Sequence, residues 1–185
     1  MYLTFLMDKV EILILRNLLY NEEYLRKVIP FIKAEYFEDQ HQKIIFEETL
    51  KFVTEYNQPT TKEVLCIEVE KRQDITDTSF QDITKLISYL EEVPTDFEWL
   101  CNTTEKWCRD RAIYLALMES IALADGTDKE KDRGAIPSIL SNALAVSFDT
   151  HIGHDYLIDY EERYEAYHKK EDLIPFDLEY STELL

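Results

Sequence analysis

Apolar residues recur along this chain every three or four positions, and Pro, Gly, Asn and Asp fall between the stretches that carry them, the pattern of helices joined by turns. Asp8 is placed to cap a first helix carrying Val10, Leu13, Ile14 and Leu18, with Asn17 in the same stripe. Asn21 can cap a second, with Tyr24, Leu25, Val28 and Ile29, closed by Pro30. A third is expected from about Asp39 through Ile44, Ile45, Phe46, Leu50, Phe52 and Val53 to Asn57, where Pro59 stops it. Thr60 or Thr61 opens a fourth with Val64, Leu65, Ile67 and Val69. After a polar loop over 73–79, a fifth carries Ile83, Leu86, Ile87 and Leu90 up to Pro94. These five are expected to form a small helical globule over residues 1–95.

The next stretch differs, because no breaker interrupts residues 96–124, long enough for about 43 Å of helix. A charged loop over 125–133 and Gly134 follow, then a return helix with Pro137 in its first turn and Ile139, Leu140, Ala143, Leu144, Val146 and Phe148 on its apolar side. Ala112, Ala116, Ala122 and Ala124 are expected to face Ala143 and Ala145, so that the two helices approach closely. The prediction for 96–150 is a protruding antiparallel hairpin. Residues 151–170 hold a linker helix with Tyr156, Leu157, Tyr160, Tyr164 and Tyr167 on one stripe, a docking face for another polypeptide or for the chain's own globule. The fold class is all-α.

Charge narrows the functions open to such a fold. Against 20 Lys plus Arg the 185 residues carry 38 Asp plus Glu, a net charge of −18. The balance is −9 over residues 1–100, −2 over 101–150 and −7 over 151–185. Phosphate neutralisation needs a concentrated basic face, so little direct DNA binding is expected. No run of 18 apolar residues suggests a membrane span, and the opening seven residues are short for a signal peptide, so a cytoplasmic protein is expected. Glycine occurs only at positions 126, 134 and 153, too few for a GxxxxGK[ST] or GxGxxG phosphate cradle. No catalytic residue and no cofactor are therefore assigned.

Other candidates for chemistry have plainer structural readings. Glu-x-x-His occurs at Glu38/His41 and Glu165/His168, the half-sites of a di-metal helical-bundle oxidase, but in a Glu-rich chain such pairs arise by composition. His151, His154 and Asp155 around Gly153 read as a turn and cap sooner than as metal ligands. Cys101 and Cys108 lie two helical turns apart, too far for a disulfide, and Cys108 reads as a buried thiol. Trp99, Trp107 and Tyr114 could stack on bases, yet their spacing suits a packing stripe. Self-association through the hairpin is expected to use some of Ile113, Leu117, Ile121, Ile136, Leu140 and Leu144, the others holding the two helices to each other.

Gly134-Ala135-Ile136-Pro137, Ser147-Phe148-Asp149, Gly153-His154-Asp155, Asp159-Tyr160-Glu161, Arg163 and Pro175-Phe176 closely resemble the region before the motor domain of T-even-type phage replicative helicases, of the DnaB-like hexameric helicase family. Val10-Glu11-Ile12, Glu35-Tyr36-Phe37-Glu38, Leu86-Ile87-Ser88, Trp99-Leu100 and Thr104-Glu105-Lys106 resemble the same family. The resemblance implies an amino-terminal collar domain in which a globule and hairpin assemble as dimers, or trimers of dimers within a hexamer. It implies a linker helix that docks on a neighbouring motor, and partners in the primase and the helicase loader. It further implies that residues 171–185 correspond to the start of a motor domain whose remainder these residues do not include. A stand-alone helical adapter that binds replication proteins is the alternative reading.

Overall fold

The computed structural model describes residues 2–127 and 132–148, and the side chains of these from Val10 onward. Seven α-helices run in order: α1 Tyr2–Tyr20, α2 Glu22–Val28, α3 Gln40–Tyr56, α4 Lys62–Glu70, α5 Asp77–Tyr89, α6 Phe97–Asp125 and α7 Ile136–Leu144, with 3-10 turns at Ala34–Tyr36 and Arg133–Ala135. The described residues contain no strand, and the fold is all-α as expected.

Short polar side chains set the helix starts. The carboxamide of Asn21 accepts from the Tyr24 N–H at 2.9 Å, Asp39 from His41 and Gln42, Thr61 from Val64, Thr76 from Ser79 and Asp96 from Trp99 at 2.8 Å. Two of the helices end in the left-handed region, α3 at Asn57 with φ 52° and α6 at Gly126 with φ 75°. At Asn57 the guanidinium of Arg26 donates to the side-chain oxygen and to the backbone carbonyl, both at 3.3 Å, closing the α3 terminus.

Three expected boundaries move. Asp8 is not a cap, because the backbone is already helical from Tyr2. The start of α5 lies inside the expected loop, since the Thr76 hydroxyl satisfies the Ser79 N–H and lets the helix begin at Asp77. Helix α7 stops at Leu144 rather than Phe148. The residues after it leave the helix so that the Ser147 hydroxyl donates to Glu105 at 3.1 Å and the Phe148 ring stacks on Phe31 with centroids 4.8 Å apart.

The core is built where α1, α2 and the turn at Ala34–Tyr36 pack on α6, with α3, α4 and α5 packed on one another and α3 on α1. Ile14, Leu15, Leu18, Tyr24, Leu25, Ile45, Phe46, Leu65, Ile83, Ile87, Leu90 and Leu100 are shielded from solvent. Phe37 sits between Phe46 and Trp107, each ring centroid 5.1 Å away, and Tyr36 meets Trp107 edge-on at 6.0 Å. One buried polar pair ties α2 to α6. Thr104 donates its hydroxyl hydrogen to the Leu100 carbonyl at 2.8 Å, so the Tyr24 hydroxyl, 2.6 Å away, must donate to Thr104.

Helix α7 runs back along α6. Its chain leaves α6 at Gly126, and its far end meets the middle of α6, where Arg109 donates to the Val146 carbonyl at 3.2 Å and to Glu105 at 2.9 Å. Ala112, Ala116 and Ala143 are buried between the two helices, whereas Ala124 and Ala145 are exposed and Ala122 is only half-covered. The small-residue seam is therefore shorter than expected and confined to the middle of α6.

Candidate functional site

Helix α6 is apolar on two sides, and the core uses one of them. Leu100, Cys101, Thr104, Trp107, Cys108, Arg111, Ala112, Ala116, Ser120 and Leu123 form the covered side. Tyr114, Leu117, Met118 and Ile121 fall at positions i, i+3, i+4 and i+7 of the other, and each is about half exposed, between 47% and 54%. Four large apolar side chains so aligned make a continuous exposed face about two turns long. On α7, Leu144 is 65% exposed.

The residues expected for self-association divide accordingly. Leu117, Ile121 and Leu144 lie open. Ile113 and Leu140 are half-buried and pack against the core, and Ile136 is half-buried at the first position of α7. Tyr114 and Met118 lie beyond the residues expected for this face, although the same i, i+3, i+4, i+7 arithmetic finds them. The spacing of Tyr114 suits a packing stripe, whereas the residue is exposed and carries the Arg111 guanidinium 5.1 Å from its ring centre. Tyr156, Leu157, Tyr160, Tyr164 and Tyr167, with Glu165, His168, His151, His154 and Asp155, lie outside the described residues.

What orients the exposed face is a buried charge at the middle of α6. Arg111, 4% exposed, donates from Nε to the Tyr36 carbonyl at 2.6 Å and from Nη1 to the Glu38 carboxylate. The Glu38 N–H in turn points to Oε1 of Glu11, a fully buried carboxylate on α1, at 3.4 Å. One guanidinium thus joins α6 to the segment before α3, and through it to α1.

The same contact revises the Glu38/His41 reading. Glu38 precedes the Asp39 cap, so the pair does not share a helix face. Its carboxylate is turned to Arg111, while His41 has Asp39 at 3.9 Å. Among the described residues no group of three His, Cys, Asp or Glu side chains is placed to hold a metal ion. Burial pushes the Cys108 thiol up to about 12, and a nearby Glu105 adds to the shift, so this cysteine is not a nucleophile at neutral pH. Trp107 is in the core and Trp99 is exposed, so the two do not form a stacking platform. Among the described residues no helix is long and apolar enough to cross a membrane.

No family profile matches the chain. It is 34% identical over 174 residues, 90% of its length, to a DnaB-like replicative helicase of Enterobacteria phage T4, and it spans 36% of the length of that relative. The likeness to the DnaB-like helicases carried by the sequence motifs thus extends along nearly the whole chain.

Proposed function

We propose that this chain, similar over nine-tenths of its length to a phage DnaB-like replicative helicase, is the non-catalytic assembly domain of such a helicase in DNA replication. In this reading the helices associate with further copies, as dimers or as trimers of dimers in a hexamer. The segment over 155–170 joins them to a motor domain, and the collar so formed receives primase and helicase loader. The observation that carries the assembly role is the exposed face of Tyr114, Leu117, Met118 and Ile121, with Leu144 on the neighbouring helix. Monomers that stay apart rarely leave four aligned large apolar side chains in water.

A second copy is the occupant that suits this face. The stretch 101–150 that carries it is nearly neutral, at −2, while the rest of the chain is strongly acidic. Like-charge repulsion is therefore weakest at this place. Size-exclusion chromatography with light scattering tests the reading. The wild-type chain is expected to be oligomeric at micromolar concentration. Leu117→Asp combined with Ile121→Asp is expected to give a monomer that keeps its helical circular dichroism, because both side chains are about half exposed in the single copy. A wild type that remains monomeric at high micromolar concentration overturns the assembly role and leaves the adapter reading in its place.

A further inference from the structure

The connection between α5 and α6 presents a second surface, separate from the α6 face and argued independently of it. From Leu90 to Asp96 the backbone takes no regular structure, and Glu91, Glu92, Val93 and Pro94 are all exposed. Among the described residues no backbone carbonyl accepts from the amides of Glu91, Glu92, Val93 or Thr95. The segment is nevertheless fixed at both ends. Leu90 and Leu100 are fully buried, the Tyr20 hydroxyl donates to the Leu90 carbonyl at 3.1 Å, and Asp96 caps α6.

Along this anchored strap the chain exposes Tyr89 (68%), Val93 and Trp99 (54%). Interleaved with them are Glu91, Glu92, Asp96 and Glu98, all solvent-facing, and residues 88–100 contain no Lys or Arg. Among the described residues none of these four carboxylates is in an ion pair. Two cations lie beside the segment, each on a neutral group: Lys27 over the Phe97 ring at 5.3 Å, and Lys62, which donates to the Ser88 carbonyl at 3.0 Å. An exposed tryptophan is the side chain most enriched where binding energy concentrates, and unpaired carboxylates around it select the charge of what binds.

We propose that the α5–α6 connection is a docking site for a basic segment of another protein, one that presents Lys or Arg to Glu91, Glu92 and Glu98 and an aliphatic side chain to Trp99. Charge decides the occupant. A second copy would bring the same four carboxylates, and nucleic acid or an anionic membrane would bring phosphates, so each is repelled where a cationic polypeptide is attracted.

The test uses the whole chain and an amphipathic peptide made only of Lys and Leu, with a Lys-only peptide in parallel. Neither contains Trp, so emission reports Trp99 against the buried Trp107. A saturable blue shift with the Lys/Leu peptide is expected, with calorimetric affinity falling at least about tenfold in Trp99→Ala and again in Glu91→Lys with Glu92→Lys. Leu117→Asp, on the other surface, should leave it unchanged. The proposal is overturned by the absence of a saturable shift, by equal binding of the Lys-only peptide, or by charge-reversal variants that bind as the wild type does. It is equally overturned if single-stranded DNA shifts Trp99, or if Trp99→Ala dissolves a dimer in the absence of peptide, which would assign the surface to those occupants.

Discussion

Arg111 is the residue on which the placement of α6 most depends. A guanidinium removed from water is tolerated only when its donors are met, and here one goes to the Tyr36 carbonyl and one to the Glu38 carboxylate. Arg111→Met should lower the unfolding free energy by about 3 kcal/mol in urea titration, since it strands the Tyr36 carbonyl and leaves Glu38 without its cation. Arg111→Lys should recover only a minor part, because an ammonium cannot reach both acceptors as the planar fork does. The cysteines make a second prediction at this scale. Burial raises the thiols of Cys66, Cys101 and Cys108, the last to about 12, above the ordinary value near 8.5. The unfolded chain then releases thiol protons that the folded chain retains, so these groups leave stability unchanged below about pH 8.5 and reduce it as pH rises from there towards about 12. Equilibrium urea unfolding at a series of pH values checks the sign. Thiol titration of the native protein should modify half-buried Cys66 first and Cys108 last.

Among the elements, what was legible in the sequence is what local chemistry decides. Asn21, Asp39, Thr61 and Asp96 bind amides two or three residues away, so their side chains announce the helix starts without knowledge of the rest of the fold. Gly126 similarly marks the end of α6. At φ +75° a Cβ would find room, with the Arg133 guanidinium nitrogen 4.0 Å away, so Gly126→Ala should cost only the backbone strain, about 1 kcal/mol in thermal unfolding. Legibility ends where a helix has two apolar sides. Periodicity offered Ile113, Leu117, Ile121, Leu140 and Leu144 alike, but contact with residues distant in sequence decides which are covered. Ile113 and Leu140 turn out to pack on the core. Leu140→Asp should therefore melt at a lower temperature than Leu117→Asp, and thermal unfolding followed by circular dichroism separates the two. The Arg111 bonds to Tyr36 and Glu38 span more than 70 residues, and no spacing rule reaches that far.

For the molecule as a whole, the charge of −18 governs what can approach it. Single-stranded DNA is expected to bind more weakly than micromolar at physiological salt, as fluorescence anisotropy would read, because any local contact must overcome a repulsive field. The chain should also show no ATP turnover that follows it through successive columns, since its three glycines cannot build a phosphate-cradling loop. The hydroxyl shared by Tyr24 and Thr104 gives this charged molecule an optical clock. Among the described residues two tyrosines are buried, and burial raises both phenols, Tyr36 to about 12 and Tyr24, whose proton is donated to Thr104 within the core, further still. In strong alkali the exposed tyrosines turn to phenolate at once, whereas Tyr24 and Tyr36 must wait for the bundle around them to open. The slow phase of the phenolate absorbance after a pH jump therefore times the opening of the fold, and Tyr24→Phe should shrink that phase, leaving the part due to Tyr36 and the whole of the instantaneous one.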